Sequence, residues 1–170
     1  MTEAAPRYIG LNELVEELGQ ELSRARFRRT YSSRGHLVDD MEKVVSRFLE
    51  RRLASVGLEF QLWRGVAEAT SPEGIEPTVL FGAEFCPDLV AQVSKSPAVA
   101  LHAELVRSKA RTAGHIAAAI GASLAYARRY PAVLTLVHMD RQQEGPGPQV
   151  VERELVMSLW SLHKVRLVFS

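Results

Sequence analysis

The chain has 170 residues, 46% of them hydrophobic, with 21 lysines and arginines against 20 aspartates and glutamates. That length supports one domain with a real core. A net charge of +1 gives no bulk attraction to a polyanion, so any such partner has to be met by a local cluster. The single cysteine, Cys86, excludes an intrachain disulfide and suits a reducing compartment. The opening residues lack a basic-then-apolar leader pattern, and the apolar run 116–127 is too short to cross a bilayer, so a cytoplasmic protein without a membrane segment is expected.

Residues 11–29 read as a helix. Leu11, Leu14, Val15, Leu18 and Leu22 recur at three-and-four spacing, and Glu13, Glu16, Glu17 and Glu21 take the other side. Its end is basic, with Arg24, Arg26, Arg28 and Arg29, and Arg34 comes after a turn at 30–35. Such a cluster serves either as a solvated helix end that suits the helix dipole or as a phosphate-contact patch. A second helix is expected over about 36–55, stopped by Gly57, with Met41, Val44, Val45, Phe48, Leu49 and Leu53 as its stripe. Glu42 lies at the margin of that stripe, where it either borders solvent or points inward toward a sheet.

Alternation over 58–67 predicts a strand, and 71–77 a loop. Strands are expected at about 78–86, 88–93 and 98–107, interrupted at Pro87, with Lys95, Ser96 and Pro97 as the turn between the last two. A helix capped by Ser108 or Thr112 runs to about Arg129 and ends before Tyr130-Pro131. Residues 132–139 are continuously apolar, as in a strand buried on both faces. A flexible loop at 141–149, a short helix at 150–161 and a strand at 165–169 complete the chain. The expected class is α/β or α+β, a mixed sheet flanked by helices. Within one domain, residues 1–35 form an N-terminal helix with a basic end, 36–140 the core, and 141–170 an appendage.

Two carboxylates, Asp88 and Glu104, fall where buried strands should be, a costly position unless each is paired or bound to a metal. A hairpin centred near 95–96 would set them nearly opposite each other, at cross-strand distances of about 5 Å. Two such charges repel, and a hard divalent cation, magnesium or manganese, resolves the conflict. His102 shares the face of Glu104 and reads as a core or wall residue. The five histidines show no paired ligand spacing, and phosphate-binding glycine loops, nucleophile elbows and dinucleotide fingerprints are absent.

The pair Pro87-Asp88, the run Glu104-Leu105-Val106, the helix residue Glu42 and the helix–Tyr130-Pro131–strand succession resemble the PD-(D/E)XK nuclease superfamily over roughly residues 36–140. The resemblance implies a restriction-endonuclease-like fold and metal-dependent phosphodiester hydrolysis on DNA. It places magnesium or manganese on Asp88 and Glu104 with help from Glu42; in a nuclease the basic cluster Arg24, Arg26, Arg28, Arg29 and Arg34, outside that span, would contact phosphates. Where the family carries its catalytic lysine this chain has Val106, so Lys109, Lys95 or Arg111 would have to supply a displaced cation, with Lys109 the leading candidate. Tyr126 fits a pattern of some DNA-processing branches, whereas Ala122 stands where their glutamine would be. The missing lysine equally implies a catalytically inactive nuclease-fold subunit that binds nucleic acid or a protein partner, as a homodimer or within a larger assembly. A third reading is an unrelated α/β protein whose acids are structural.

Overall fold

The computed structural model describes residues 10–65, 75, 77–80, 82–140 and 150–170; the side chains at 97, 109 and 150–152 lie outside that description, as do the expected loop 141–149 and most of 71–77. Among the described residues four helices, α1 (Leu11–Arg24), α2 (Arg34–Ala54), α3 (Thr112–Tyr126) and α4 (Val150–His163), flank a five-stranded mixed sheet. Its strands are β1 (Phe60–Arg64), β4 (Leu89–Val93), β5 (Ser96–Val106), β6 (Ala132–Met139) and β7 (Val165–Phe169), in the order β1-β4-β5-β6-β7. The first two pairings are antiparallel; β5–β6 and β6–β7 are parallel and are bridged by α3 and α4. None of the described helices is long and apolar enough to cross a membrane.

The ends of the elements have local causes. α1 stops at Arg24, earlier than periodicity suggests, and Ala25 leaves in an extended conformation. Ser33 caps α2 by accepting from the His36 N–H. α2 closes with a Schellman-type pattern: Gly57, at φ +72, donates to Ala54 and Leu58 donates to Leu53. α3 begins only at Thr112, after a 3₁₀ turn at Lys109–Arg111. The strand expected over 78–86 is instead a small separate hairpin, β2 (Thr78–Leu80) and β3 (Ala83–Phe85), turned at Gly82 with φ +78 and packed against α3. The C-terminal segment is no appendage. β7 is a full strand of the sheet, and α1 packs on it, with Glu16 reaching Arg166 at 2.8 Å.

The register of the β4–β5 hairpin decides which side chains meet Asp88. The two strands are joined by a two-residue turn, Ser94 and Lys95, both at positive φ (49° and 68°), the conformation of a type I′ connection. The ladder pairs Gln92 with Pro97 but Ala91 with Val99, so Ala98 is an extra residue, a β-bulge. Beyond the bulge Leu89 faces Leu101, which sets Asp88 beside His102. Glu104 lies two residues further on, so the two acids, expected nearly opposite each other, are offset by one step of the same face.

The two faces of the sheet differ. Under α1 and α2 lies one continuous aliphatic core that includes Leu14, Leu18, Leu22, Met41, Val45, Leu49, Leu89, Leu101, Leu134 and Leu136. Each such fully buried side chain contributes about 1.5–3 kcal/mol. The face under α3 carries two separate apolar groups. One gathers Val90, Ala100, Tyr126, Val133 and Leu167; the other holds Val106, Ala119 and Val137. The residues between them along β5 are His102 and Glu104, and on β6 Thr135, which is in register with His102.

Candidate functional site

β4 ends at Leu89 while β5 runs on to Val106, so the edge of β5 beyond Leu101 loses its strand partner. Pro87, with no N–H, breaks the ladder there. Side chains take over the pairing. The Ala103 N–H donates to Asp88 Oδ2 at 2.8 Å, and Arg34 Nε donates to the Ala103 carbonyl at 2.7 Å. Arg34, at the first turn of α2, also places Nη2 2.6 Å from both Asp88 oxygens. His102 Nδ1 lies 3.1 Å from Asp88 Oδ2. Because the Asp88 carboxylate can only accept, we assign the proton of His102 to that nitrogen, pointing at Asp88; the Arg34 Nη2 contact with the same nitrogen at 3.2 Å is then not a hydrogen bond.

Burial alone would raise the Asp88 carboxyl, but the His102 hydrogen bond, the Arg34 charge and the Ala103 N–H outweigh it and hold Asp88 below its ordinary value. Tyr126 stacks near His102 at 5.7 Å between ring centroids and donates its hydroxyl to the Cys86 carbonyl, fixing the chain just before Asp88. Burial, and then the Asp88 charge, push the Tyr126 phenol well above its usual range, so it stays a neutral donor.

Glu104 belongs to the next step of the same face. Its Oε1 lies 2.6 Å from His115 Nδ1, on the first turn of α3, and its Oε2 lies 3.9 Å from His102 Nε2. The imidazole of His102 therefore stands between the two acids. Deeper under α3, the Ser123 hydroxyl donates to Ala119, which makes Thr135 the donor in their 2.6 Å contact.

The residues singled out from sequence divide accordingly. Asp88 and Glu104 share one face but not one point. Glu42 does not join them: it pairs with Arg64 at 3.2 Å, which also contacts Asp39. Arg34 reaches onto Asp88 and Ala103 while its side chain stays half exposed. Arg28 is held by Asp40 at 2.9 Å, while Arg24, Arg26 and Arg29 are exposed. Lys95 sits in the turn before β5, nine residue steps from Glu104, roughly 30 Å at strand spacing. It cannot serve as the displaced cation. The backbone of Lys109 lies on the 3₁₀ turn, and its side chain is outside the described set. Val106 is 1% exposed and packs with Ala119 and Val137, so the motif position is used for core packing.

Arg34, His102 and His115 are the partners that sequence reasoning did not assign. Parity along β5 gave the facing of His102, but nothing local ties Arg34 to a residue 54 positions later. The donor set does not fit a magnesium or manganese centre in this arrangement. Both Asp88 oxygens accept from cationic or N–H donors, His102 separates the acids, and among the described residues no three histidine, cysteine or acidic side chains converge to hold a metal ion.

A cleft of about 700 Å³ opens beside Glu104, lined by Ser32, Ser33, Arg34, Arg107, Arg111 and His115 among others. Arg107 donates to the carbonyls of Tyr31 and Ser32, which fastens that turn to the residue after β5. In comparisons with known proteins, the chain matches no family model, no curated protein and no solved structure.

Proposed function

We propose that this chain is a nuclease-like domain that binds nucleic acid without cleaving it. One observation carries the reading: the Arg34 guanidinium lies on both oxygens of Asp88 and supplies there the positive charge that a metal would bring. With Asp88 occupied by Arg34, His102 between the acids and Val106 in the core, the position of the family's lysine carries no cation. The exposed Arg24, Arg26 and Arg29, and separately the cleft lined by Arg34, Arg107 and Arg111, keep cationic surface for phosphates. A fluorescent single-stranded or duplex oligonucleotide is expected to bind at low salt, and affinity should fall with a log–log salt slope of about −2 to −3, three phosphate contacts or so. The same preparation should leave plasmid and oligonucleotide uncut with magnesium or manganese. Manganese-dependent cleavage abolished by Glu104→Ala would restore the enzyme reading.

A second reading has its own observation. Asp88 and Arg34 complete the hydrogen bonding of Ala103 at the open edge of β5, which is a purely structural task. If that is their whole role, no oligonucleotide binds at any salt concentration.

A further inference from the structure

We infer that the cleft between the loop before α2, the end of β5 and the start of α3 is a phosphate-binding site, with Arg107 and Arg111 as its cationic walls and His115 at its floor. The site deepens the nucleic-acid reading by naming where a phosphate group is held, and it rests on that reading only for the source of the phosphate. Ser32, Ser33 and Ser108 add hydroxyls to the lining, and a volume of about 700 Å³ accommodates a phosphate with part of its ester group. Three arginines and a histidine line the space against one carboxylate, Glu104.

That carboxylate is committed. Its Oε1 holds His115 Nδ1 at 2.6 Å, which orients the ring and leaves Nε2 as its remaining polar atom. Arg34 is engaged on Asp88, so the ligand is met by the other two arginines. Arg107 is already anchored on the Tyr31 and Ser32 carbonyls, so little side-chain freedom is lost when a phosphate arrives. Arg111 is exposed at the head of α3, whose first turn has no side-chain cap. Its guanidinium can pair with two phosphate oxygens at once, a geometry that lysine does not offer. A phosphate offers the two guanidinium groups more oxygens than a carboxylate does; of the lining hydroxyls, that of Ser32 is already paired with His36 Nδ1 at 2.7 Å.

The test uses the full chain. Inorganic phosphate is titrated against chloride at equal ionic strength while the His115 ring resonances are followed by NMR. In parallel, binding of a labelled oligonucleotide is measured by fluorescence anisotropy. Expected are a saturable shift of His115 with phosphate, its loss in Arg111→Glu, and an oligonucleotide affinity about tenfold weaker in that variant at low salt. Arg47→Glu, further along α2, is the charge-matched control and should change affinity less than about twofold. Arg111→Gln, which keeps the neutral shape, guards against a folding defect and should also lose the shift. No shift of His115 in the wild type overturns the site, whatever the oligonucleotide does. Oligonucleotide binding that survives Arg111→Glu but is lost in the combined Arg24→Glu, Arg26→Glu and Arg29→Glu variant also overturns it, while the nucleic-acid reading stands. A phosphate shift that depends on Arg111 with no oligonucleotide binding upholds the site and assigns it to small phosphates, and the nucleic-acid reading then fails.

Discussion

The same strands serve two unlike layers. Toward α1 and α2 they present leucine, valine and alanine in an unbroken core; toward α3 they present a polar band, Asp88, His102, Glu104 and Thr135, between two small apolar groups. Alternation along β5 makes this possible, since Leu101, Ala103 and Leu105 face one way and His102, Glu104 and Val106 the other. The first layer supplies cohesion through area removed from water. The second gives up some of that area for a hydrogen-bonded array, whose members are stable only because each has a partner. Stability and chemistry are thus separated by the thickness of one sheet.

The contrast can be broken at its strong side first. Leu134→Ala, a fully buried site on the α1/α2 face, should cost about 3–5 kcal/mol, read as a fall in the urea midpoint at unchanged slope. Val106→Lys, the change that would recreate the missing motif residue, places an ammonium between Ala119 and Val137 and should cost about 3 kcal/mol. Manganese-dependent cleavage gained by that variant would count against the metal-free reading of the site.

Asp88→Asn tests the polar band itself. Arg34 is 46% exposed, so solvent screens the pair, and a loss of about 2 kcal/mol at neutral pH is expected. The pH dependence has a fixed sign. The folded Asp88 carboxyl lies below its ordinary value, so its contribution is complete above the unfolded value, about 4, and is lost as pH falls through the folded value. Thermal melts of the wild type should drop on that acid limb, and the Asn variant should show a shallower drop. Thr135→Val removes one buried donor while Ser123 keeps its bond to Ala119, so about 1 kcal/mol is expected. Glu42→Gln, at the half-exposed pair with Arg64, should stay below about 0.5 kcal/mol. A larger effect there would mean that Glu42 is tied to the band after all.

Much of the frame was legible because it is periodic. The run 132–139 is the central strand β6, the α1 stripe is buried as its spacing implies, and the pairing of His102 with Glu104 on one face comes from parity. What escaped was set by single residues or by distance. The bulge at Ala98 leaves no mark in hydropathy, yet it decides which residue meets Asp88. The break at Gly82 folds 78–85 back on itself and out of the main sheet. The partner of Asp88 comes from a different helix, and the arginine run that contains it reads from sequence as one surface cluster although Arg34 reaches onto Asp88 and Ala103. A composition rule cannot separate an arginine that neutralises an acid from one that awaits a phosphate; only the register and the helix start do so.

The bulge has a consequence for how this hairpin can change length. The side-chain repeat of a strand is two, so a single inserted or deleted residue between Ser94 and Ala98 that shifted the ladder would exchange the two faces of β5. His102 and Glu104 would then be driven into the leucine layer, and Leu101 and Leu105 out of it. Changes of two residues preserve the facing and only lengthen the turn. Viable length variants of this corner are therefore expected in even steps, and an odd step should appear only together with the loss or gain of a compensating bulge.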